Sequence, residues 1–147
     1  MLNEKISTVQ KLITLGTTIE KHITSRLKNE NLTCTEWLVL TFLNESKSEG
    51  DIQDLKYSYL LDEMELSQVL ETLEQKKLVE CKRRIQMIYG ARITKLGETL
   101  LEDITPEIEK YTDRLLNRMD YTMEDKSLIS VFFNSNLDQL LLGMHVK

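Results

Sequence analysis

Proline, glycine and cysteine are all scarce in this chain. One proline and five glycines among 147 residues favour a mostly helical chain with short connections. The two cysteines form no C-x-x-C pair and are too few for a disulfide framework. No run of about 18 apolar residues occurs, and the N-terminus lacks the basic-then-apolar order of a signal peptide. We therefore expect a single cytoplasmic domain without a membrane-spanning helix.

Residues that carry enzyme chemistry are equally scarce. His22 and His145 are far apart in sequence and have no metal-ligand partners at suitable spacing. The chain has neither a nucleophile motif nor a glycine-rich phosphate loop. The sequence thus predicts neither an enzyme nor a bound metal or cofactor.

The first third of the chain has helical spacing. Residues 5–29 carry apolar side chains mostly at three- and four-residue steps, which predicts an amphipathic helix. Thr33 and Glu36 have the spacing of a capping box, in front of a helix that is apolar nearly all round and is expected to be central. Residues 47–50 are predicted to form a loop.

Helical patterns also fill the last third. From Lys95 a helix is predicted to run to about residue 119, with either a kink or a fresh start near Pro106. A final helix over about 123–142 carries more apolar surface than a small monomer would leave exposed.

The middle of the chain has a different order. Asp51 is expected to cap a short helix, and a second helix follows over about 63–77. Residues 78–82 and 88–94 are predicted as two strands of a hairpin with its tip at 83–87, and Gly90 marks a possible bulge. This order predicts a mainly α fold with a small β-hairpin wing, the outline of a winged helix-turn-helix.

The hairpin is basic although the chain is acidic overall. The formal net charge is −5, yet one acidic residue, Glu80, stands between Lys76 and Lys95. Seven basic residues occupy the same stretch: Lys76, Lys77, Lys82, Arg83, Arg84, Arg92 and Lys95. Such a strip suits a phosphate backbone, while a solvated surface explains it about equally well.

Three segments together resemble the MarR family of winged-helix regulators, and in particular its staphylococcal SarA branch. They are Leu32 to Leu43, Leu70 to Glu80, and Arg92 to Glu102. These resemble the family's L-T-x-x-x-x-x-V-L segment, its L-x-x-L-x-x-x-x-L-V end of the recognition helix, and its L-T-x-x-G exit from the wing. The likeness extends over about residues 5–142.

The resemblance implies a homodimer and a DNA-binding lobe. One domain over 1–147 would consist of a winged-helix lobe at about 33–97 and dimerisation helices at about 5–29 and 98–142, interlocking through the first and last helices. The helix at 63–77 would lie in the major groove of double-stranded DNA, and the wing at about 78–94 on the backbone or in the minor groove. The resemblance also implies a pocket for a small aromatic molecule between the dimer helices and the DNA-binding lobe, without indicating its residues.

The resemblance suggests roles for particular residues. Gln68, Thr72 and Ser67 would probe base edges. The wing residues of the basic strip would contact phosphates, and its full set of candidates is Lys76, Lys77, Lys82, Arg83, Arg84 and Arg92. The family's wing carries an Asp-x-Arg at its tip in which the acid orients an arginine, whereas this hairpin is about two residues shorter and has no acid there.

Acidic residues at the start of the expected recognition helix allow a second interpretation. Asp62, Glu63 and Glu65 open this helix and would repel phosphate if they face DNA. Glu65 or Glu71 could instead accept a hydrogen bond from a cytosine amine, and solvated, helix-stabilising glutamates explain the pattern at least as well. The alternative function is therefore a winged-helix dimer that has lost strong DNA binding and pairs with another regulator.

The cysteines allow two interpretations as well. Cys81 stands beside Lys82 and Arg83, and nearby cations lower the pKa of a thiol, so Cys81 is a possible oxidation sensor. A role as small buried hydrophobes is the favoured interpretation for Cys81 and Cys34.

Overall fold

The computed structural model describes residues 2–46, 50–59 and 61–118. Its contacts divide the chain into two compact units, Met1–Trp37 and Leu38–Lys147. The expected final helix at 123–142 lies outside the described residues. None of the helices within the described ranges is both long enough and apolar enough to cross a membrane.

The first unit is built on a long helix, α1 (Leu2–Leu27), which continues as a short 3-10 turn. Its position confirms the helix predicted at 5–29. Asn31 ends the turn in a left-handed conformation (φ 55°), which asparagine tolerates better than most residues. The buried Leu32 then donates its backbone N–H to the carbonyl oxygen of Leu27 at 3.1 Å.

Helix α2 (Cys34–Ser46) begins where its cap is predicted. The hydroxyl oxygen of Thr33 accepts a hydrogen bond from the backbone N–H of Glu36 at 3.1 Å, which satisfies one of the unpaired amides of the first turn. Val39, Leu40 and Leu43 are almost fully buried, as expected for an apolar central helix.

A helix pair follows in the second unit. Helices α3 (Ile52–Tyr59) and α4 (Glu63–Gln75) are in contact. The ring of Tyr59 meets that of Phe42 edge to face, with centroids 6.3 Å apart. The helical spacing of Leu66, Val69, Leu70 and Leu73 predicts one inner face of α4. The three leucines are buried there, and Val69 is half-buried.

Three strands form one antiparallel sheet in the order β1-β3-β2. The strands β2 (Val79–Arg84) and β3 (Met87–Ile93) are the predicted hairpin. Strand β1 (Gly50–Asp51) corrects the prediction that Gly50 belongs to a loop, while α3 begins directly after Asp51, the predicted cap residue. Two residues are too short to display the alternation that identifies a strand in sequence.

The hairpin is longer and tighter than predicted. Its strands extend to Arg84 and Met87, so the turn consists of Ile85 and Gln86 alone rather than residues 83–87. Both turn residues have positive φ, 52° and 66°. The pairing passes from Lys82 with Gly90 to Arg83 with Ile88, and this shift of register confirms a bulge beside Gly90.

Helix α5 (Lys95–Arg118) is continuous through Pro106, so the fresh start considered for this segment is wrong. The hydroxyl oxygen of Thr94 caps α5 by accepting from the backbone N–H of Gly97 at 3.1 Å. A Cβ atom on Gly97 would lie 2.5 Å from the carbonyl oxygen of Leu78 and 2.7 Å from Cγ1 of Ile93. Glycine is therefore required here by the close approach of α5 to the sheet.

Candidate nucleic-acid interface

Helix α4 begins with a complete capping box. A carboxylate oxygen of Asp62 accepts from the backbone N–H of Glu65 at 2.8 Å, and the backbone N–H of Asp62 donates to the Glu65 carboxylate at 3.2 Å. The Glu63 carboxylate lies 3.2 Å from Nζ of Lys56 on α3. These contacts support the helix-stabilising interpretation of Glu63 and Glu65.

The expected base-reading residues alternate with the buried leucines of α4. Gln68 is exposed, and Ser67 and Thr72 are half-buried. The Thr72 hydroxyl donates to the carbonyl oxygen of Gln68 at 2.9 Å, so its proton is used within the helix. The Gln68 side-chain amide carries both donors and an acceptor, which is the combination that pairs with adenine in the major groove.

A Schellman motif ends α4. The backbone N–H of Lys77 donates to the carbonyl oxygen of Glu74 at 2.9 Å, and that of Leu78 donates to Leu73 at 3.0 Å. Lys77 adopts the left-handed conformation that the motif requires (φ 63°). The motif places Lys76 and the exposed Lys77 at the junction between α4 and β2.

Glu74 connects α4 to the wing, which we define as β2, β3 and their turn (residues 79–93). Its carboxylate accepts hydrogen bonds from Nη1 and Nη2 of Arg83 at 3.2 and 2.5 Å. It also accepts from the backbone N–H of Cys81 at 3.0 Å. The side-chain hydrogen bond from Arg83 is the largest cause of a lowered Glu74 pKa. An acid on the helix thus holds a wing arginine, although the wing tip has no acid of its own.

Two further cations of the basic strip are also paired. Nη2 of Arg92 lies 2.6 Å from Oε2 of Glu80, the residue that pairs with Arg92 across the β2–β3 ladder. Nζ of Lys95 lies 3.7 Å from Oε2 of Glu98, three residues further along α5. The strip is therefore less positive than the sequence count predicts, because Glu74 and Glu98 stand just outside the window from Lys76 to Lys95.

Arg84 lies on an aromatic ring near the end of the wing. Its guanidinium carbon is 5.3 Å from the centroid of the Tyr89 ring, a cation–π distance. Tyr89 is the residue that the bulge leaves without a cross-strand partner. Arg84 and Lys82 are exposed on the same strand, so two cations of the predicted strip lie close to the turn.

A groove separates the first half of α4 from the end of the wing. Its volume is about 490 Å³. The helix side includes Leu66, Ser67 and Leu70, and the wing side includes Arg84 and Met87. The groove thus brings together one predicted base-reading residue and one predicted phosphate-contacting residue.

The pKa of the Cys81 thiol is raised rather than lowered. Burial is the largest cause and the Glu74 carboxylate adds to it, and together they outweigh the lowering by Arg83, so that the pKa is about 11. The thiol lies 3.8 Å from the carbonyl oxygen of Leu70. Burial is also the main cause of a raised Cys34 pKa, with a contribution from Glu20. Both shifts favour the interpretation of the cysteines as small buried side chains.

The sequence does not single out Glu74 or Tyr89, which have the most specific contacts of the wing. Glu74 is one of several glutamates in α4, and its partner Arg83 lies nine residues further along the chain. Tyr89 adjoins Gly90, and that glycine is the only signal of the bulge. Among the described residues, no group of three or more His, Cys, Asp or Glu side chains could hold a metal ion.

Solved structures with the same fold include known regulators. A MarR family transcriptional regulator from Rhodococcus sp. RHA1 has a TM-score of 0.75 and 16% identity, over 96% of each chain. NadR in complex with 4-hydroxyphenylacetate has a TM-score of 0.70 and 22% identity, over 87% of this chain and 89% of its own. Bordetella bronchiseptica BpsR, whose DNA binding is regulated by 6-hydroxynicotinic acid, has a TM-score of 0.69 and 17% identity, over 86% and 90%.

Sequence comparisons add no closer relative, since neither a family model nor a curated protein sequence matches the chain. At 15–22% identity the structural likeness concerns the fold. The described elements of this chain, with a helix pair and a hairpin between longer helices, match the fold of those structures at TM-scores of 0.69–0.75. The chain has the winged-helix fold of MarR family regulators.

Proposed function

We propose that the protein is a sequence-specific DNA-binding transcription regulator that acts as a homodimer. Helix α4 would enter the major groove, and the wing would contact the backbone or the minor groove. The observation that carries this proposal is the Glu74–Arg83 contact, which joins the recognition helix to the wing. Elements that dock on adjacent grooves need a fixed separation, and this contact provides one.

Base recognition is assigned to Gln68, Thr72 and Ser67, and backbone contacts to the basic strip. Arg84 and Lys82 are the strongest phosphate candidates because both are exposed near the turn. The remaining candidates are Lys76, Lys77, Arg83 and Arg92. Arg83 and Arg92 each keep part of their N–H donors for phosphate while a carboxylate holds the rest.

Dimerisation is assigned to the first and last helices. In α1 five large apolar side chains are 39–63% exposed: Ile6, Val9, Leu12, Ile13 and Leu15. An apolar stripe of this length favours burial against a second copy. A two-fold dimer would read half-sites about one helical turn apart.

The remaining assignments follow from the same proposal. The lobe at about 33–97 and the dimerisation helices at about 5–29 and 98–142 form one functional domain. The protein acts in the cytoplasm by occupancy of its site, which blocks polymerase or a second regulator. The three motifs that resemble the MarR family support membership of its SarA branch.

A small aromatic ligand is a second candidate function. NadR was solved with 4-hydroxyphenylacetate, and BpsR responds to 6-hydroxynicotinic acid. The 490 Å³ groove of this chain is large enough for such a molecule and includes Arg84, a partner for a carboxylate. A thermal-shift titration with 4-hydroxyphenylacetate tests this candidate, and an unchanged melting temperature at saturating concentration would reject it.

The proposed function is tested by fluorescence anisotropy across a salt series. One labelled duplex comes from the protein's own upstream region and the other is a scrambled control. Tighter binding to the first duplex, with a steep salt slope, supports a sequence-specific regulator. If neither this duplex nor a genomic selection yields a bound sequence while the dimer is folded, the partner-binding alternative is favoured. The pairing of Arg92 with Glu80 is the observation on its side.

A further inference from the structure

Ile85 occupies an unfavourable position at the tip of the wing. It is the first of the two turn residues, and its φ is 52°. Two-residue hairpin turns with positive φ at both positions favour asparagine, aspartate and glycine. A β-branched residue in this conformation is an outlier, because its branched Cβ crowds the backbone.

Burial does not compensate for this strain. Ile85 is 92% exposed, more than any other large apolar side chain in the described part of the chain. Its neighbour Met87 is 65% exposed. A strained residue that gains nothing from packing in its own chain indicates a role in binding.

The surroundings of Ile85 indicate which partner it meets. Arg84 directly precedes it, and Lys82 lies two residues earlier on the same strand. An exposed apolar side chain close to cations matches the surface of duplex DNA, where apolar base steps and sugars lie between two lines of phosphates. A two-residue turn is also narrow enough to enter a minor groove about 6 Å wide.

We propose that Ile85 is an apolar wedge that enters the minor groove beside the major-groove site of α4. This inference rests on the proposed function and adds the chemistry by which the wing reads DNA. Arg84 and Lys82 bind the flanking phosphates, while Ile85 contacts sugars and a partly opened base step. The wing therefore favours flexible pyrimidine–purine steps and bends the duplex.

The side chain suits this role for a second reason. A β-branched residue has few rotamers to lose, so little conformational entropy is lost when it becomes immobilised. The second turn residue, Gln86, is polar, so Ile85 is the apolar residue of the turn. The wedge is therefore a single rigid apolar group on a charged support.

The test compares three substitutions on a duplex that the native protein selects from a random-sequence library. Ile85→Asn and Ile85→Gly relieve the strained turn and remove the branched apolar group, whereas Ile85→Val keeps both. Affinity is measured by anisotropy across a salt series. Bending is measured by energy transfer between dyes at the duplex ends, and base opening by 2-aminopurine fluorescence at the flanking step.

We expect Ile85→Asn and Ile85→Gly to raise the melting temperature of the protein and to weaken DNA binding roughly five- to twentyfold. The salt slope stays unchanged, while bending and 2-aminopurine fluorescence fall. Ile85→Val behaves like the native protein. Arg84→Ala, in contrast, lowers the salt slope by about one.

Two results would overturn the inference in different ways. If the native protein selects and bends a duplex but Ile85→Asn binds and bends it equally well, the wedge is refuted and the proposed function stands. If the native protein selects no sequence at all, the proposed function fails and the inference fails with it.

Discussion

Arg83 on the wing donates two hydrogen bonds to the Glu74 carboxylate on helix α4, from Nη1 at 3.2 Å and from Nη2 at 2.5 Å. The same carboxylate accepts the backbone N–H of Cys81 at 3.0 Å. A bidentate contact fixes orientation as well as distance, because both guanidinium and carboxylate are planar. This contact therefore acts together with the Schellman motif at Lys77 to fix how the hairpin leaves the helix.

Glu74→Gln tests this arrangement. The amide oxygen can still accept from Cys81, but the charged two-bond contact with Arg83 is lost. We expect faster hydrogen exchange of the hairpin amides and weaker DNA binding with little change in global stability. Glu71→Gln, an exposed glutamate on the same helix, is the control. Equal exchange rates in the two variants would show that the contact does not restrain the wing.

The lowered pKa of Glu74 predicts a pH dependence of the wing. Its folded-state pKa lies below the ordinary value of 4.5, so the contact contributes stability above that pH. This contribution is lost as the pH falls through the folded-state pKa, where the carboxylate becomes protonated. Exchange of the Cys81 amide, followed below pH 4.5 and corrected for intrinsic rates, should show this loss. The Glu74→Gln variant should lack this step.

Two glycines give opposite predictions for the same substitution. In Gly97→Ala the added methyl would lie 2.5 Å from the carbonyl oxygen of Leu78. We therefore expect the free energy of unfolding to fall by about 1–3 kcal/mol. In Gly16→Ala no atom lies within 4 Å of the added methyl on an exposed helix. For Gly16→Ala we expect the free energy of unfolding to rise by about 0.5–1 kcal/mol, because alanine has the higher helix propensity. Urea denaturation measures both, and the same sign for both would contradict the close packing at Gly97.

The raised pKa of the Cys81 thiol predicts that this residue reacts slowly with thiol reagents. With a pKa of about 11, Cys81 is almost entirely protonated at neutral pH. In a Cys34→Ser background, we expect Ellman's reagent to react slowly with the folded protein at pH 7 and much faster after unfolding in urea. A rapid reaction in the folded state would restore the oxidation sensor as a hypothesis for this residue.

Base reading and phosphate binding are separable by two substitutions. Gln68→Ala removes donors and an acceptor that no phosphate contact requires, so we expect sequence preference to relax while the salt slope stays constant. Arg84→Ala should weaken binding to specific and scrambled duplexes alike and lower the slope by about one. Anisotropy on both duplexes gives the two quantities. A preserved preference in Gln68→Ala would exclude this residue from recognition.

Local pattern accounts for what the sequence predicts well. The stripe of Leu66, Leu70 and Leu73 follows the helix period and is buried, and the order of helices and hairpin follows from similar signals. The fold class depends on these regularities, so it is predictable without any long-range information.

Contacts between elements are what the sequence does not contain. The Glu74–Arg83 contact spans nine positions and depends on the angle between α4 and β2, which no periodicity encodes. For the same reason, a charge count from Lys76 to Lys95 overstates the positive charge of the wing. The sequence also predicts the wrong direction for the net shift of the Cys81 pKa, because burial and a helix carboxylate outweigh the lowering by the adjoining Arg83.

The bulge at Tyr89 determines which face of the hairpin each residue of the wing tip occupies. Up to Lys82 and Gly90 the strands pair in one register, and beyond that point they pair in another. If one residue were deleted at the bulge, the side chains between Met87 and Tyr89 would move to the opposite face of β3. An insertion in the turn would only lengthen the turn. Among chains that share this hairpin, tip residues are therefore equivalent when they are counted from the bulge rather than from the turn.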